Sequence, residues 1–190
     1  MAYFPFFIEL TGKRGLIVGG GPVALRKAET LLPYGPALTA VSPQFVPGFQ
    51  ELSGLTLLRQ PFSEEALEGA YFAVAASGDR ALNRRVSALC RARGILVNAA
   101  DDRENCTFLF PALVREGSFS AGISTGGSSP SAAVWVRERL EELEGLRPRV
   151  KAAIPDQRRR EAVFKALFTA RLAAGRPLEE RELQALIHTV

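Results

Sequence analysis

Histidine is nearly missing from this chain: the single one, His188, is third from the C-terminal end. That scarcity excludes a histidine-built metal centre and a Ser-His-Asp relay assembled within one chain. Cysteine is scarce as well, at two. Cys90 and Cys106 lack Cys-x-x-Cys spacing, which argues against a zinc site or disulfide framework and fits a reducing, cytoplasmic setting. Both read as core filling, although the acidic loop before Cys106 leaves it a weak candidate for a reactive thiol. No apolar run approaches the roughly 18 to 20 residues of a membrane span, so no membrane partner is expected. Residues 1–10 are apolar and aromatic but lack a basic leader and a cleavage site, and Pro5 interrupts them; they read as a strand or core-covering segment. The formal charge of +4 is modest. Its basic residues concentrate late, in Arg147, Arg149, Lys151 and Arg158-Arg159-Arg160, where a solvated helix face explains them better than a nucleic-acid surface.

At 190 residues, one core domain with a smaller appendage is expected. Gly15 to Val18 is a short apolar run ending in Gly19-Gly20-Gly21. Val23, Ala24, Lys27, Ala28, Leu31 and Leu32 then recur at helical spacing, with Pro22 at the first helical position, where its missing N–H costs nothing. Leu38 to Val41 closes a βαβ unit. Further strands are expected at Leu55 to Leu58, Tyr71 to Ala75 and Ile95 to Asn98, with a short helix opened by Ser63. A longer helix from about Asp79 buries Leu82, Val86, Leu89 and Cys90. Unbroken apolar strands alternating with helices indicate a parallel sheet covered on both faces, a Rossmann-type α/β domain. After Pro111 the rhythm changes. A hairpin at Ala112–Arg115 and Phe119–Ser124 leads through a Ser/Gly loop to a helix with Val134, Val136, Leu140 and Leu143 as its apolar positions. After a break at 145–148, two more helices follow, one with Ala162, Val163, Leu167 and Leu172 inward and one from Glu179 to Ile187. The expected organisation is a Rossmann domain over 1–112, a central region over 113–145 and a small helical domain over 146–190.

Three constellations carry chemistry. In Gly19-x-Gly21-x-x-Ala24, the first glycine permits a tight turn. The second lets the backbone approach a pyrophosphate, and the small third residue lets helix pack on strand, with Gly20 between them and Pro22 and Val23 opening the helix. Where an acidic residue would hold the ribose hydroxyls, the chain has Ser42, Pro43 and Gln44. No arginine stands beside them in sequence either, so the pattern leaves NAD and NADP open. The second constellation, Asn98-Ala99-Ala100-Asp101-Asp102, lies at the carboxyl end of the fifth expected strand. A carboxylate there points into the crevice where such sheets bind ligands, or else merely caps a loop. The third runs Ser124, Thr125, Gly126, Gly127, Ser128, Ser129 and Pro130, where hydroxyls and backbone N–H groups before a helix suit an anion.

These segments, in this order, resemble the precorrin-2 dehydrogenase family, the N-terminal module of siroheme synthases. The resemblance rests on Phe4-Pro5-Phe6-Phe7; on Leu16 to Lys27; on Ala75-Ala76 with Asp79 and Asn83; on Val97-Asn98 with Asp101; on Phe108 to Pro111; and on Ser124 to Pro130. It implies a Rossmann domain, a central dimerisation region and a helical C-terminal part in a homodimer that passes hydride from precorrin-2 to NAD, giving sirohydrochlorin. Some members of the family also insert iron. By the resemblance, Asp101 matches the essential aspartate, with base, substrate-orienting and iron-contacting roles all open. Pro22, Val23, Pro43 and Gln44 match cofactor contacts, and Thr125 falls in a substrate-facing loop. The methyltransferase domain of some fused relatives has no counterpart here, so precorrin-2 is expected from elsewhere. An acidic tetrapyrrole also suits a basic chain. The rival reading from another class is a non-catalytic NAD(H) sensor.

Overall fold

The computed structural model describes residues 3–100, 102–116, 119–126, 128–144, 147–176 and 178–189. They divide into two compact units that meet between Phe110 and Pro111. The first contains β1 (Arg14–Val18), α1 (Pro22–Leu31), β2 (Ala37–Val41), β3 (Leu55–Leu58), β4 (Phe72–Ala75), α2 (Arg80–Ala92) and β5 (Leu96–Ala99). The five strands form one parallel sheet in the order β3-β2-β1-β4-β5.

Successive side chains of a strand point to opposite faces, and in this sheet both faces are apolar. Along β1, Leu16 and Val18 join one core with Ala73 and Ala75 of β4, Val97 of β5, and Val86 and Cys90 of α2. Ile17, between them, joins the other core with Ala24, Ala28 and Leu31 of α1, Leu38 and Ala40 of β2, and Phe49. Helix α1 can lie close because the residues it turns to the sheet are alanines, Ala24 and Ala28, both fully buried. The anticipated buried face of α2 is present, with Val86 and Cys90 inside and Leu82 and Leu89 packed at its margin. Between β3 and β4 the chain makes only a 3-10 turn, Glu64–Leu67, which drops Leu67 into the first core.

One expectation about this unit needs correction. Residues 3–10 form no strand, and Phe4, Phe6 and Phe7 are 76%, 76% and 79% exposed. Pro5 removes a ladder donor, and the Phe4 and Phe6 rings pack on each other at 5.0 Å; only Leu10 reaches the core. Cys106 is buried, in keeping with its reading as core filling.

In the second unit, β6 (Ala112–Glu116) and β7 (Phe119–Ile123) pair antiparallel, and α3 (Pro130–Glu144) packs on them. Val114 and Ala133 are its buried residues there. The apolar positions read from the sequence of α3 are only partly inward: Val134 and Val136 are exposed, as is Trp135, whose ring carries the Arg139 guanidinium at 4.7 Å. The side chain of Leu143 lies outside the described residues. Helices α4 (Arg147–Ala153), α5 (Gln157–Ala174) and α6 (Glu180–Thr189) enclose a separate core of Val150, Ile154, Val163, Leu167, Leu183 and Ile187. Helix α4 begins within the expected break, since Pro148 is harmless in a first helical turn. Ala162 faces outward, and the side chain of Leu172 lies outside the described residues. Asp156 caps α5 by accepting from the Arg159 N–H at 2.8 Å. No described helix is long and apolar enough to cross a membrane.

Ile17 is fully buried on the central strand, with neighbours on both sides. Ile17→Ala is expected to cost about 3 to 4 kcal/mol, from lost transfer energy plus the cavity left behind. Urea denaturation followed by far-UV circular dichroism measures this loss.

Candidate functional site

The sheet register assembles a crest at the carboxyl ends of the strands. Val18 is level with Val41 and with Ala75, Val41 with Leu58, and Ala75 with Ala99. Hydrogen bonds carry this alignment one residue beyond the strands: Gly19 N–H donates to Val41 at 3.0 Å, Ser42 to Leu58 at 3.1 Å, Ala76 to Val18 at 2.8 Å and Ala100 to Ala75 at 2.8 Å. Strand order reverses between β1 and β4, because β1 leads outward through β2 and β3 while β4 and β5 follow on its other side. In open α/β sheets, ligands occupy the crevice above such a crossover.

The glycine turn lies at that point, and its three residues are glycine for different reasons. Gly19 has φ +139°, and a Cβ on it would overlap the Ala76 carbonyl. A Cβ on Gly20 would overlap the Gln44 carbonyl and stand 2.8 Å from Ser42 Oγ. Gly21 is the reverse: an added Cβ meets nothing within 4 Å. The first two glycines let backbone pack on backbone, while the third opens onto free space at the start of α1. There Pro22 occupies the first turn and no side chain caps the helix. Unsatisfied N–H groups and the positive end of the helix dipole therefore face the space above Gly21. This arrangement, at the turn formed by Gly19, Gly20, Gly21, Pro22 and Val23, is one that a pyrophosphate fits.

Ser42, Pro43 and Gln44 are brought to the same turn, since Val46 N–H donates to Gly20 O at 2.9 Å and fixes the segment across it. The expectation that no arginine accompanies them is corrected by the topology. Arg59 follows directly on Leu58, the residue bonded to Ser42, and its guanidinium lies 5.6 Å from the Phe45 ring centre. Separation in sequence concealed a neighbour across the sheet.

The opposite wall of the crevice is the loop after β4, locked by one amide. Asn83 Oδ1 accepts from the Ser77 N–H at 3.0 Å and from Ser77 Oγ at 2.8 Å, and Asn83 Nδ2 donates to Ser77 O at 3.0 Å. Asn83 is buried. Asp79 caps α2, accepting from the N–H groups of Ala81 and Leu82 at 2.8 and 3.2 Å. Sequence pattern marked Asn83 and Asp79 only as points of resemblance; their work is to shape the loop that abuts Gly19.

At the end of β5, Asn98 is buried and its amide donates to Phe108 O at 3.0 Å, tying the strand to the segment that follows. The Cys106 thiol is similarly engaged, accepting from Ala99 N–H at 3.2 Å and donating to Ala99 O at 3.3 Å. Burial pushes its pKa above the ordinary thiol value, and it pushes that of Cys90 up to about 11. Thiolates are the reactive form, so both cysteines are inert structural groups. Asp102 serves the loop, accepting from Asn105 Nδ2 at 2.8 Å. Asp101, expected to be catalytic, lies outside the described residues.

The Ser/Gly loop belongs to the second unit, and its hydroxyls largely serve its own backbone. Ser124 Oγ accepts from Gly126 N–H at 3.1 Å, Thr125 Oγ1 from Ser129 N–H at 3.1 Å, and Ser128 Oγ donates to Thr125 O at 2.7 Å. The expectation that these N–H groups suit an anion is corrected for Gly126, Ser128 and Ser129, whose bonds are made inside the turn. Gly127 lies outside the described residues. Among the described residues, no three or more His, Cys, Asp or Glu side chains cluster closely enough to hold a metal ion.

A doubly wound parallel sheet with this glycine turn at its crossover defines a dinucleotide-binding Rossmann domain. Residues 6–112, more than half of the chain, match the family model NAD_binding_7, described as NAD(P)-binding, and the chain belongs to that family. It is 38% identical over 207 residues to a siroheme synthase of Pseudomonas entomophila (strain L48), covering 98% of this chain and 45% of the relative. To a siroheme synthase of Chromobacterium violaceum it is 37% identical over 188 residues, covering 91% of this chain and 40% of the relative. The chain thus spans under half the length of these curated relatives. Its fold is similar to the solved structure of SirC, precorrin-2 dehydrogenase, with a TM-score of 0.65 and 24% identity over 99% of this chain and all of that one.

Gly21→Asp is expected to leave the unfolding midpoint nearly unchanged while abolishing dinucleotide binding, because its side chain enters open space that the phosphates need. Gly19→Ala is expected instead to destabilise the fold by at least about 1 to 3 kcal/mol from backbone strain, with the overlap of its Cβ on the Ala76 carbonyl adding to that cost. Calorimetric titration and thermal melts on both variants separate the two effects. Neither cysteine should react with a disulfide reagent at neutral pH until denaturant is added; rapid labelling of the native protein at Cys106 would contradict its burial.

Proposed function

We propose that the chain oxidises precorrin-2 to sirohydrochlorin with NAD, as a homodimer in the cytoplasm, with residues 113–145 forming the dimer contact and 146–190 a helical appendage. The observation that carries the reading is the open approach over Gly21 at the strand-order reversal, with an uncapped helix end facing it. The siroheme synthases aligned along nearly the whole chain support the choice of substrate.

NAD supplies the hydride acceptor when bound, and the chain's residues do the remaining work. Gly20, Gly21 and the first turn of α1 hold the pyrophosphate, and Ser42, Pro43 and Gln44 flank the adenosine ribose. The Ser77–Asn83 clasp keeps the opposite wall in place, so that the reacting ring is presented in one orientation. Loss of two hydrogens from the tetrapyrrole as hydride and proton requires a proton acceptor, and Asp101 is assigned that role. It follows Ala100, whose N–H is fixed to the end of β4, and a carboxylate can accept the proton released in such a step. The loop from Ser124 to Ser128, with Thr125 at its centre, is assigned to the carboxylate-rich substrate, and Asn98, buried and bonded to Phe108 O, is assigned to holding the end of β5 in place for it.

Purified protein given precorrin-2 and NAD without oxygen is expected to produce NADH fluorescence together with the sirohydrochlorin spectrum. Asp101→Asn should lower kcat by about 100-fold or more, with the Kd for NAD within about twofold of the parent. A parent protein that binds NAD tightly yet never turns over precorrin-2 would favour the sensor reading. Full activity in Asp101→Asn would remove the base assignment.

A further inference from the structure

The side of the crevice that would receive the adenosine ribose has an unusual charge. In dinucleotide sites that select NAD, an acidic side chain at the end of the second strand bonds the ribose hydroxyls and repels a 2′-phosphate. Here β2 ends in Val41-Ser42-Pro43-Gln44, which carries no charge. The charged group that does stand there is Arg59. The Ser42 N–H bond to Leu58 O at 3.1 Å puts the first residue beyond β3 beside the first residue beyond β2.

Arg59 is held where it can be used. Its guanidinium lies over Phe45 at 5.6 Å from the ring centre, and Phe45 packs edge-on against Phe49 at 4.9 Å and 65°. Phe49 is 1% exposed, so the stack is rooted in the core. Phe45 in turn precedes Val46, whose N–H is bonded to Gly20 O, so the stack is also tied to the phosphate-binding turn. A guanidinium drawn to an aromatic ring by this attraction still has N–H groups available for an anion. Arg59 is exposed, and among the described residues no carboxylate pairs with it.

We infer that Arg59 is a specificity-determining residue that recognises the 2′-phosphate of an adenine dinucleotide, so that the site accepts NADP as well as NAD. A phosphate on the 2′ oxygen would find the Arg59 guanidinium and no acid in the segment Val41-Ser42-Pro43-Gln44, while the neutral Ser42 and Gln44 tolerate the bare hydroxyl of NAD. This inference rests on the dinucleotide-site reading proposed above and adds to it the class of ligand at its adenosine end.

The test is calorimetric titration of the full chain with NAD, NADP, 5′-AMP and adenosine 2′,5′-bisphosphate, repeated on Arg59→Ala. The bisphosphate is expected to bind the parent about tenfold or more tighter than 5′-AMP, the scale of a bidentate charged contact, and to lose that advantage at high salt. In Arg59→Ala the advantage should vanish for the bisphosphate and for NADP, with NAD affinity held within about twofold. Arg59 is a surface residue, so its removal leaves the core intact, which a thermal melt verifies. A parent that binds NAD but gains nothing from the 2′-phosphate overturns the inference and leaves the dinucleotide site standing. Equal weakening of NAD and NADP in the variant also overturns it. Failure of NAD itself to bind would sink the underlying reading instead.

Discussion

The contact on which the first unit turns is the one between the Gly19 backbone and the Ala76 carbonyl. No side chain fits between them, so the chain leaving β1 can pass directly over the end of β4. That passage starts α1 at the sheet's crossover and not beyond it. Once it is made, the hydrogen bonds from Gly19, Ser42, Ala76 and Ala100 bring the ends of all five strands into one row. The loops after β1, β2, β3, β4 and β5 then share a single crest. The chemistry assigned to the site depends on that shared edge more than on any one side chain.

Much of this was legible in the sequence because the Rossmann half is locally consistent. Four- and five-residue apolar strands, a proline at the first helical turn and small residues on the inner face of α1 all favour the same topology. Other features depend on contacts that local pattern cannot convey. Arg59 looks unremarkable in sequence and becomes a neighbour of Ser42 only through the pairing of β2 with β3. The Ser77–Asn83 clasp is likewise invisible to hydrophobic periodicity, because a buried asparagine carries no apolar signal. Conversely, Phe4, Phe6, Phe7, Val134 and Val136 carried an apolar signal that did not become burial within this chain. Asp101, the residue singled out most sharply by resemblance, is known here only through its neighbours Ala100 and Asp102.

Polar groups near the crest divide into those spent on architecture and those left for a ligand. Asn98, Asp79, Asp102 and the Cys106 thiol all have partners within the fold. A buried polar group costs free energy unless it is paired, so these bonds are what permit the loops to be tight. The start of α1 and the edge of Arg59 stand apart from that group. Both offer N–H donors and both favour negative charge, the first suited to a pyrophosphate and the second to the inferred 2′-phosphate.

Strand order also governs how the protein emerges during its own synthesis. Strand β1 leaves the ribosome before either of its partners, and one of them, β4, is encoded more than fifty residues later; every pairing in the sheet is parallel and therefore non-local. Such contacts form slowly, because the intervening loop must close before they contribute anything. Until Phe72–Ala75 has been made, the inner edge of β1 remains an open, apolar ribbon. A nascent chain paused before that point is therefore the species most exposed to aggregation and most in need of a chaperone.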